Sequence, residues 1–415
     1  MWLRQGRAGG GIGMIMTDTR GQADLPRYFA RVFALAKQMP VGRLDVVLPD
    51  GRRFRAEGAT AGPVAEVVIH DPDVFARLIR EGELGFCDAY LEEGWSSPDL
   101  QAFLDLMNSG NEILYRGFPG KGLVKAFERL RHLMRANSKG QARKNISYHY
   151  DLGNAFYAKW LDESMTYSSA LFDTGQESFE SAQRAKYAAL VDALGVKAGD
   201  HVLEIGCGWG GFAEYAAAER GLRVTGLTIS AEQLKYAKER IEKAGLSHLV
   251  TLKMQDYRDE TGQYDGIASI EMFEAVGEKY WPVYFDRLRA CLKPGARASL
   301  QIITLEEERF KIYRKGVDFI QKYIFPGGML PSKTALRAEI ARAGLTETAV
   351  LEFGESYSQT LRRWHERFNA AWADIAPMGF DERFRRMWNF YLTSCAASFH
   401  GGNCDVVQIT IVKSD

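Results

Sequence analysis

A chain of 415 residues with 53 basic and 53 acidic side chains has a formal net charge of +0, so global charge gives it no reason to bind nucleic acid. Its length suits two or three domains, and a 46% hydrophobic composition supplies core for each. Five cysteines, odd in number and without metal-ligand spacing, exclude a disulfide scaffold or zinc module and read as reduced thiols.

Arg4 and Arg7 precede a glycine-rich run rather than an apolar core, so no signal peptide is expected, and no segment reaches transmembrane length. Met14 and Met16 are alternative starts, which makes residues 1–21 a disordered extension. Residues 22–115 form the first domain. Leu44–Leu48 and Ala65–Ile69 are predicted strands, set off by Pro49-Asp50-Gly51 and Gly62-Pro63 turns. Pro72–Glu81 and Leu100–Met107 are predicted helices. Residues 116–146 follow as a basic amphipathic segment and linker. It carries Arg116, Lys121, Lys125, Arg129, Arg131, Arg135, Lys139, Arg143 and Lys144 against the single acid Glu128, with Phe118, Leu123, Val124, Phe127, Leu130, Leu133 and Met134 interleaved. A charge run is more often a solvated face, but this apolar interleaving suits a membrane surface.

From 147 to 415 the pattern alternates helix and strand, as a doubly wound α/β domain does. Val202-Leu203-Glu204-Ile205 reads as a buried strand. It runs into Gly206-Cys207-Gly208-Trp209-Gly210-Gly211 and a helix from Gly211-Phe212. Glycines at a strand-to-helix turn let a nucleotide-like cofactor approach the backbone. Glu204, just before the turn, would repel a pyrophosphate and attract a cationic group. The next strand, Arg223–Leu227, ends in Thr228 without the acid a nicotinamide enzyme uses for ribose. Val250–Met254 ends in Gln255-Asp256-Tyr257, where an acid beside an aromatic suits an adenine ring. The pattern favours S-adenosylmethionine over NAD. Further on, Glu307–Tyr323, Leu361–Ile375 and Phe380–Phe399 are predicted helices, and Val406–Val412 is the last strand. The aromatic stripes of these helices read as core before substrate channel. Cys395 reads as a small buried thiol, His149 as structural, and His365 with Glu366 lacks further spaced metal ligands.

These motifs together resemble the cyclopropane-fatty-acyl-phospholipid synthase family. Carrying the resemblance are Tyr148–Asn154, Met165–Ser169, Leu203–Gly211, Leu227–Gln233, Gln255–Asp259, Met272-Phe273-Glu274, Lys322–Gly328 and Trp364–Phe368, with a looser match at Gly85–Trp95. It implies a class I methyltransferase fold with inserted helices, an N-terminal lipid-engaging domain and a homodimer. It implies that Tyr167, Ser168, Glu204, Gly206, Gly208, Thr228, Gln233, Gln255 and Asp256 bind S-adenosylmethionine. The substrate would be an unsaturated phospholipid met at the inner face of the cell membrane by a cytoplasmic, peripherally bound protein, and the product a cyclopropane acyl chain.

The family's cyclopropane formers hold a bicarbonate base with a Cys, a Glu, a His, a backbone group near the His, and a Tyr. Here Glu274 and Tyr357 are kept, Ser169 stands for the Cys, Gln301 for the His, and Ile303 supplies the backbone contact. Ala275 replaces the His that commonly follows the Glu. Ser and Gln still hydrogen-bond an anion, but Gln carries no charge and relays no proton. Three outcomes stand open: cyclopropanation, methyl transfer giving a methyl-branched or methylene-bearing chain, and lipid or cofactor binding without turnover.

If the basic face docks on lipid, charge reversal at Lys121, Lys125, Arg129 and Arg131 will weaken binding to anionic vesicles at low salt, by about 1 kcal/mol per basic side chain near the surface. Flotation assays with unchanged binding would exclude that face.

Overall fold

The computed structural model describes residues 14–109, 141 and 152–413. The 116–146 segment apart from Gln141, His149 and the Tyr148–Asp151 part of its motif lie outside them, as does most of the 1–21 extension. The chain divides into two compact units, Met1–Lys121 and Gly122–Asp415.

In the first unit, period-two alternation builds a half-covered sheet. Along Val41–Val47 every second residue is buried, as a strand with one face on a core requires. The sheet order is β1(Ile15–Met16), β3(Arg53–Glu57), β2(Val41–Val47), β4(Thr60–Ile69), β5(Trp95–Ser96). The predicted strands sit within or overlap β2 and β4, and the Pro49-Asp50-Gly51 turn joins β2 to an unpredicted antiparallel partner, β3. Phe29 and Phe33 from helix Phe29–Ala36 close on Phe54 at 4.8 and 5.5 Å. Trp95 is fully buried, stacked 4.4 Å from Phe86 and donating its indole N–H to the Phe86 carbonyl.

The second unit is the expected doubly wound α/β domain. Its seven strands run in the order β11(Leu345–Glu352), β12(Cys404–Lys413), β10(Leu292–Leu305), β9(Tyr264–Ile270), β6(His201–Ile205), β7(Arg223–Thr228), β8(Val250–Met254). Strands β8, β7, β6, β9 and β10 are parallel, while β12 is antiparallel to both neighbours. Strand order reverses between β6 and β9, so the crevice at their carboxyl ends is where an open sheet binds a ligand. Strands β6 and β9 are buried almost throughout, as central strands of a sheet covered on both faces are.

The C-terminal helices differ in their breaks. The predicted helix over 307–323 is two, Glu307–Tyr313 and Phe319–Tyr323. Gly316 lies between them, and Asp318 starts the second with a capping box to Gln321, a stronger local start than helix continuation. Helix Gly354–Ala370 begins before the predicted Leu361 and lies against helix Glu382–His400. Trp160, Trp364, Phe368 and Trp388 are buried around that pair, so these aromatics are core, as read from their spacing.

Replacing Trp95 by Ala removes a filled aromatic site and should cost about 3–5 kcal/mol. Urea unfolding of the full chain measures this, and a loss under about 1 kcal/mol would show that the site collapses without consequence.

Candidate active site

The glycine turn is shaped by what sits against it. The Gly206 and Cys207 amides both donate to the Leu227 carbonyl, at 3.0 and 2.8 Å, tying the turn to the end of β7. Gly206 has φ +84°, and a Cβ there would lie 2.8 Å from Met272 Cγ. A Cβ on Gly211, at the start of helix Gly211–Arg220, would lie 2.7 Å from the Tyr187 hydroxyl oxygen. These positions accept only glycine without rearrangement.

All nine residues expected to hold S-adenosylmethionine line one cavity: Tyr167, Ser168, Glu204, Gly206, Gly208, Thr228, Gln233, Gln255 and Asp256. Thr228 donates to Gln233 Oε1 at 3.1 Å, so the two form one polar ledge at the end of β7. Asp256 has its carboxylate gripped by Arg258, Nε to Oδ1 at 2.8 Å and Nη2 to Oδ2 at 2.7 Å, which fixes it as a charged acceptor. Glu204 is 3% exposed and its Oε2 has no hydrogen-bond partner. Burial pushes its carboxyl up to about 8, against the pull of Arg240 and Lys186. A buried, partnerless carboxyl oxygen at the mouth of a nucleotide turn is a site for a cation. The cavity therefore fits a ligand carrying positive charge beside an adenine nucleoside, as S-adenosylmethionine does.

The five residues expected to form the anion site assemble beside this cavity, but around a different centre. Glu271, the residue directly after β9, accepts from the Ser169 amide at 2.8 Å and Gln301 Nε2 at 2.8 Å on Oε1, and from the Tyr357 hydroxyl at 2.7 Å on Oε2. Glu274 keeps one of the expected contacts, the Ile303 amide at 2.6 Å, and its Oε2 has no hydrogen-bond partner. In this structure Tyr357 thus bonds Glu271 rather than sharing a partner with Glu274. The cause is backbone. Glu271 adopts φ +49°, an unusual left-handed turn for a non-glycine residue, while its amide still bonds the Gln301 carbonyl. Glu274 comes one short turn later, within Phe273–Ala275. The Ser169 hydroxyl is turned away, donating to the Ala170 carbonyl, so that residue contributes its backbone.

Charge separates the two acids. Burial, reinforced by the nearby Glu271 charge, pushes Glu274 up to about 8, so it is mainly neutral at pH 7. Burial also raises Glu271, opposed by the Tyr357 hydroxyl, Lys186, the Ser169 amide and Gln301. Lys186 has 0% exposure and donates to Ser168 Oγ at 2.6 Å. Burial lowers its ammonium to about 7, against the attraction of Glu271, Asp162 and Glu204. Gln301 is fully engaged: its NH2 donates to Glu271 and the Ser169 carbonyl, and its Oε1 accepts from Gln408 at 3.1 Å. Sequence reasoning passed over Glu271. The available signal was an acid immediately after an apolar strand beside the switch point, three residues before Glu274. Cys395 is half-buried, and desolvation raises its thiol well above the usual range, which suits a structural thiol.

Comparison with known proteins agrees with this geometry. The family model for mycolic acid cyclopropane synthetase matches residues 137–409. A tuberculostearic acid methyltransferase of Mycobacterium tuberculosis is 40% identical over 380 residues, covering 89% of this chain and 88% of its own. The cyclopropane-fatty-acyl-phospholipid synthase of Escherichia coli is 37% identical over 353 residues, 84% of this chain and 88% of that one. A solved mycolic acid cyclopropane synthase complexed with SAH and CTAB superposes with a TM-score of 0.62 and 28% identity, over 65% of this chain and 98% of its own.

Since a cationic ligand favours ionised Glu204, binding of S-adenosylmethionine below about pH 8 should release a proton. Affinity should then rise with pH from 6 to 8, by at most about tenfold per unit, and level above. Isothermal titration should show this slope for the wild type and its loss in Glu204→Gln. A wild-type Kd independent of pH in that window would exclude the carboxylate as the cation's partner.

Proposed function

Because the chain belongs to the mycolic acid cyclopropane synthetase family and is an S-adenosylmethionine-dependent lipid methyltransferase, we propose that it methylates the double bond of an unsaturated phospholipid acyl chain and yields a methyl-branched or methylene-bearing chain. The observation that carries the product is Gln301. It stands where cyclopropane formers have a His, and its amide is locked between Glu271, the Ser169 carbonyl and Gln408. An amide so held neither gains charge nor passes a proton along. The 40% identity to a tuberculostearic acid methyltransferase, named for a methyl-branched acid, leans the same way.

An isolated alkene is a weak nucleophile, and S-adenosylmethionine, when bound, supplies the electrophilic methyl. The protein's part is placement and charge. Thr228, Gln233, Gln255 and Asp256 offer polar atoms for the nucleoside, and Glu204 offers negative charge for the cationic end. Tyr167 lines the cavity with its hydroxyl hydrogen-bonded to that of Tyr391 at 2.7 Å, and its ring stands 5.2 Å from Trp364. Such a rigid aromatic wall keeps water from a carbocation. The acyl chain would be drawn from a bilayer on which the protein rests as a peripheral membrane protein.

A second reading, cyclopropanation, is favoured by the 37% identity to a cyclopropane-fatty-acyl-phospholipid synthase. The two separate on one assay. Purified protein, S-adenosylmethionine and monounsaturated phospholipid vesicles should give acyl chains heavier by one CH2 that ozone still cleaves. An ozone-resistant product of that mass would establish the ring and exclude the branched reading.

A further inference from the structure

The family's bicarbonate does not fit this chain. The donors that would hold it are the Ser169 amide, Gln301, Tyr357 and the Ile303 amide, and each already serves a protein carboxylate. Three converge on Glu271, and the Ile303 amide goes to Glu274. A second anion among them would meet the Glu271 charge with no donor left to offset it. Position adds to this. Glu271 lines the cofactor cavity, whereas Ser169, Glu274, Gln301, Ile303 and Tyr357 are not among its lining residues. Backbone torsion adds a third observation: Glu271 holds φ +49°, a conformation glycine takes freely and a glutamate takes at a cost of order 1 kcal/mol. A strained residue with its carboxylate fixed by three donors is built for a task that an ordinary turn does not require.

We propose that Glu271 is the general base of the reaction, a built-in carboxylate that replaces an exogenous anion. The inference rests on the reading that the protein methylates an alkene. Once the methyl carbon is bonded to one alkene carbon, the other alkene carbon is left electron-deficient. A C–H bond then breaks and Glu271 takes the proton. If that bond is on the adjacent chain carbon, its electron pair forms a new C=C. If a hydride first moves from the methylated carbon to the cationic one, loss from the methyl leaves an exocyclic methylene. If the methyl loses the proton directly, the pair closes the ring. A base tied to the end of β9 reaches only the hydrogens its tether allows, whereas a small free anion is held only by hydrogen bonds. Burial raises both carboxyls, but only Glu271 has three donors and the nearby Lys186 working against that rise, so of the two it is the one whose ionised form is supported.

Two variants and one omission test this. Wild-type protein in buffer purged of carbon dioxide should convert vesicles of monounsaturated phospholipid at an unchanged rate, and added bicarbonate should not accelerate it. Glu271→Gln should still bind S-adenosylmethionine by titration above pH 8, where Glu204 is ionised, yet at saturating cofactor lose at least about 100-fold in product formation, the usual worth of a general base. Glu271→Gly relieves the left-handed turn and empties the donor set. It should regain activity on adding bicarbonate and should bind 13C-bicarbonate by NMR, which the wild type should not. A wild type that stops without bicarbonate, binds it by NMR, or tolerates Glu271→Gln would overturn the proposal. A wild type that methylates no alkene under any condition would instead overturn the functional reading beneath it, while the NMR comparison would still report on the anion site.

Discussion

The constraint on which this site depends is the cost of holding carboxylates inside an apolar sheet end. Glu204 is the penultimate residue of β6 and Glu271 follows β9, and these strands are neighbours on either side of the order reversal. Unpaired, each charge would be destabilising by several kcal/mol. The chain answers differently at each position. Glu204 is left with a partnerless oxygen and a raised affinity for protons, a condition that a cationic ligand relieves. Glu271 is surrounded by donors from three separate parts of the chain. One acid waits for a charge to arrive, and the other has donors that support its ionised form against burial. Binding and proton removal are thus assigned to different strand ends a few residues from the same turn.

That division explains otherwise costly features. The turn at Gly206 lies so close to Met272 that a methyl group would not fit, and this proximity sets the segment after β9 against the cofactor turn. Lys186 is buried without an acid as its direct hydrogen-bond partner. It sits electrostatically between Glu204 and Glu271, which both influence it. Removing either carboxylate would alter the protonation of the other through this shared cation.

Much of this was legible in sequence where the physics is local. Gly206, Gly208 and Glu204 announce a nucleotide turn because a strand, a tight turn and a helix start are contiguous. The capping box at Asp318 and Gln321 was equally local, yet helical periodicity across 307–323 concealed it. Strand β3 was missed because Arg53–Glu57 is charged on its open face, and its pairing with β2 is a tertiary fact. Glu271 was missed for a subtler reason. Ser169, Gln301, Ile303 and Tyr357 were found through resemblance, and resemblance also fixed attention on Glu274. Which of two acids three residues apart receives the donors is decided by one left-handed backbone angle, and no periodicity encodes that.

Gln301 then takes on a meaning its chemistry alone does not give. Considered singly, an amide in place of an imidazole is a loss, because it removes a proton relay. Beside Glu271 it is a complement. A carboxylate needs a donor that stays neutral and cannot compete for the proton, and an amide anchored by Gln408 on its oxygen presents only its NH2. A charged imidazole there would lower the basicity of Glu271, and a neutral one could present an acceptor lone pair to it. Glu271 and Gln301 are therefore coherent as a pair: a tethered base and a donor that cannot take its proton.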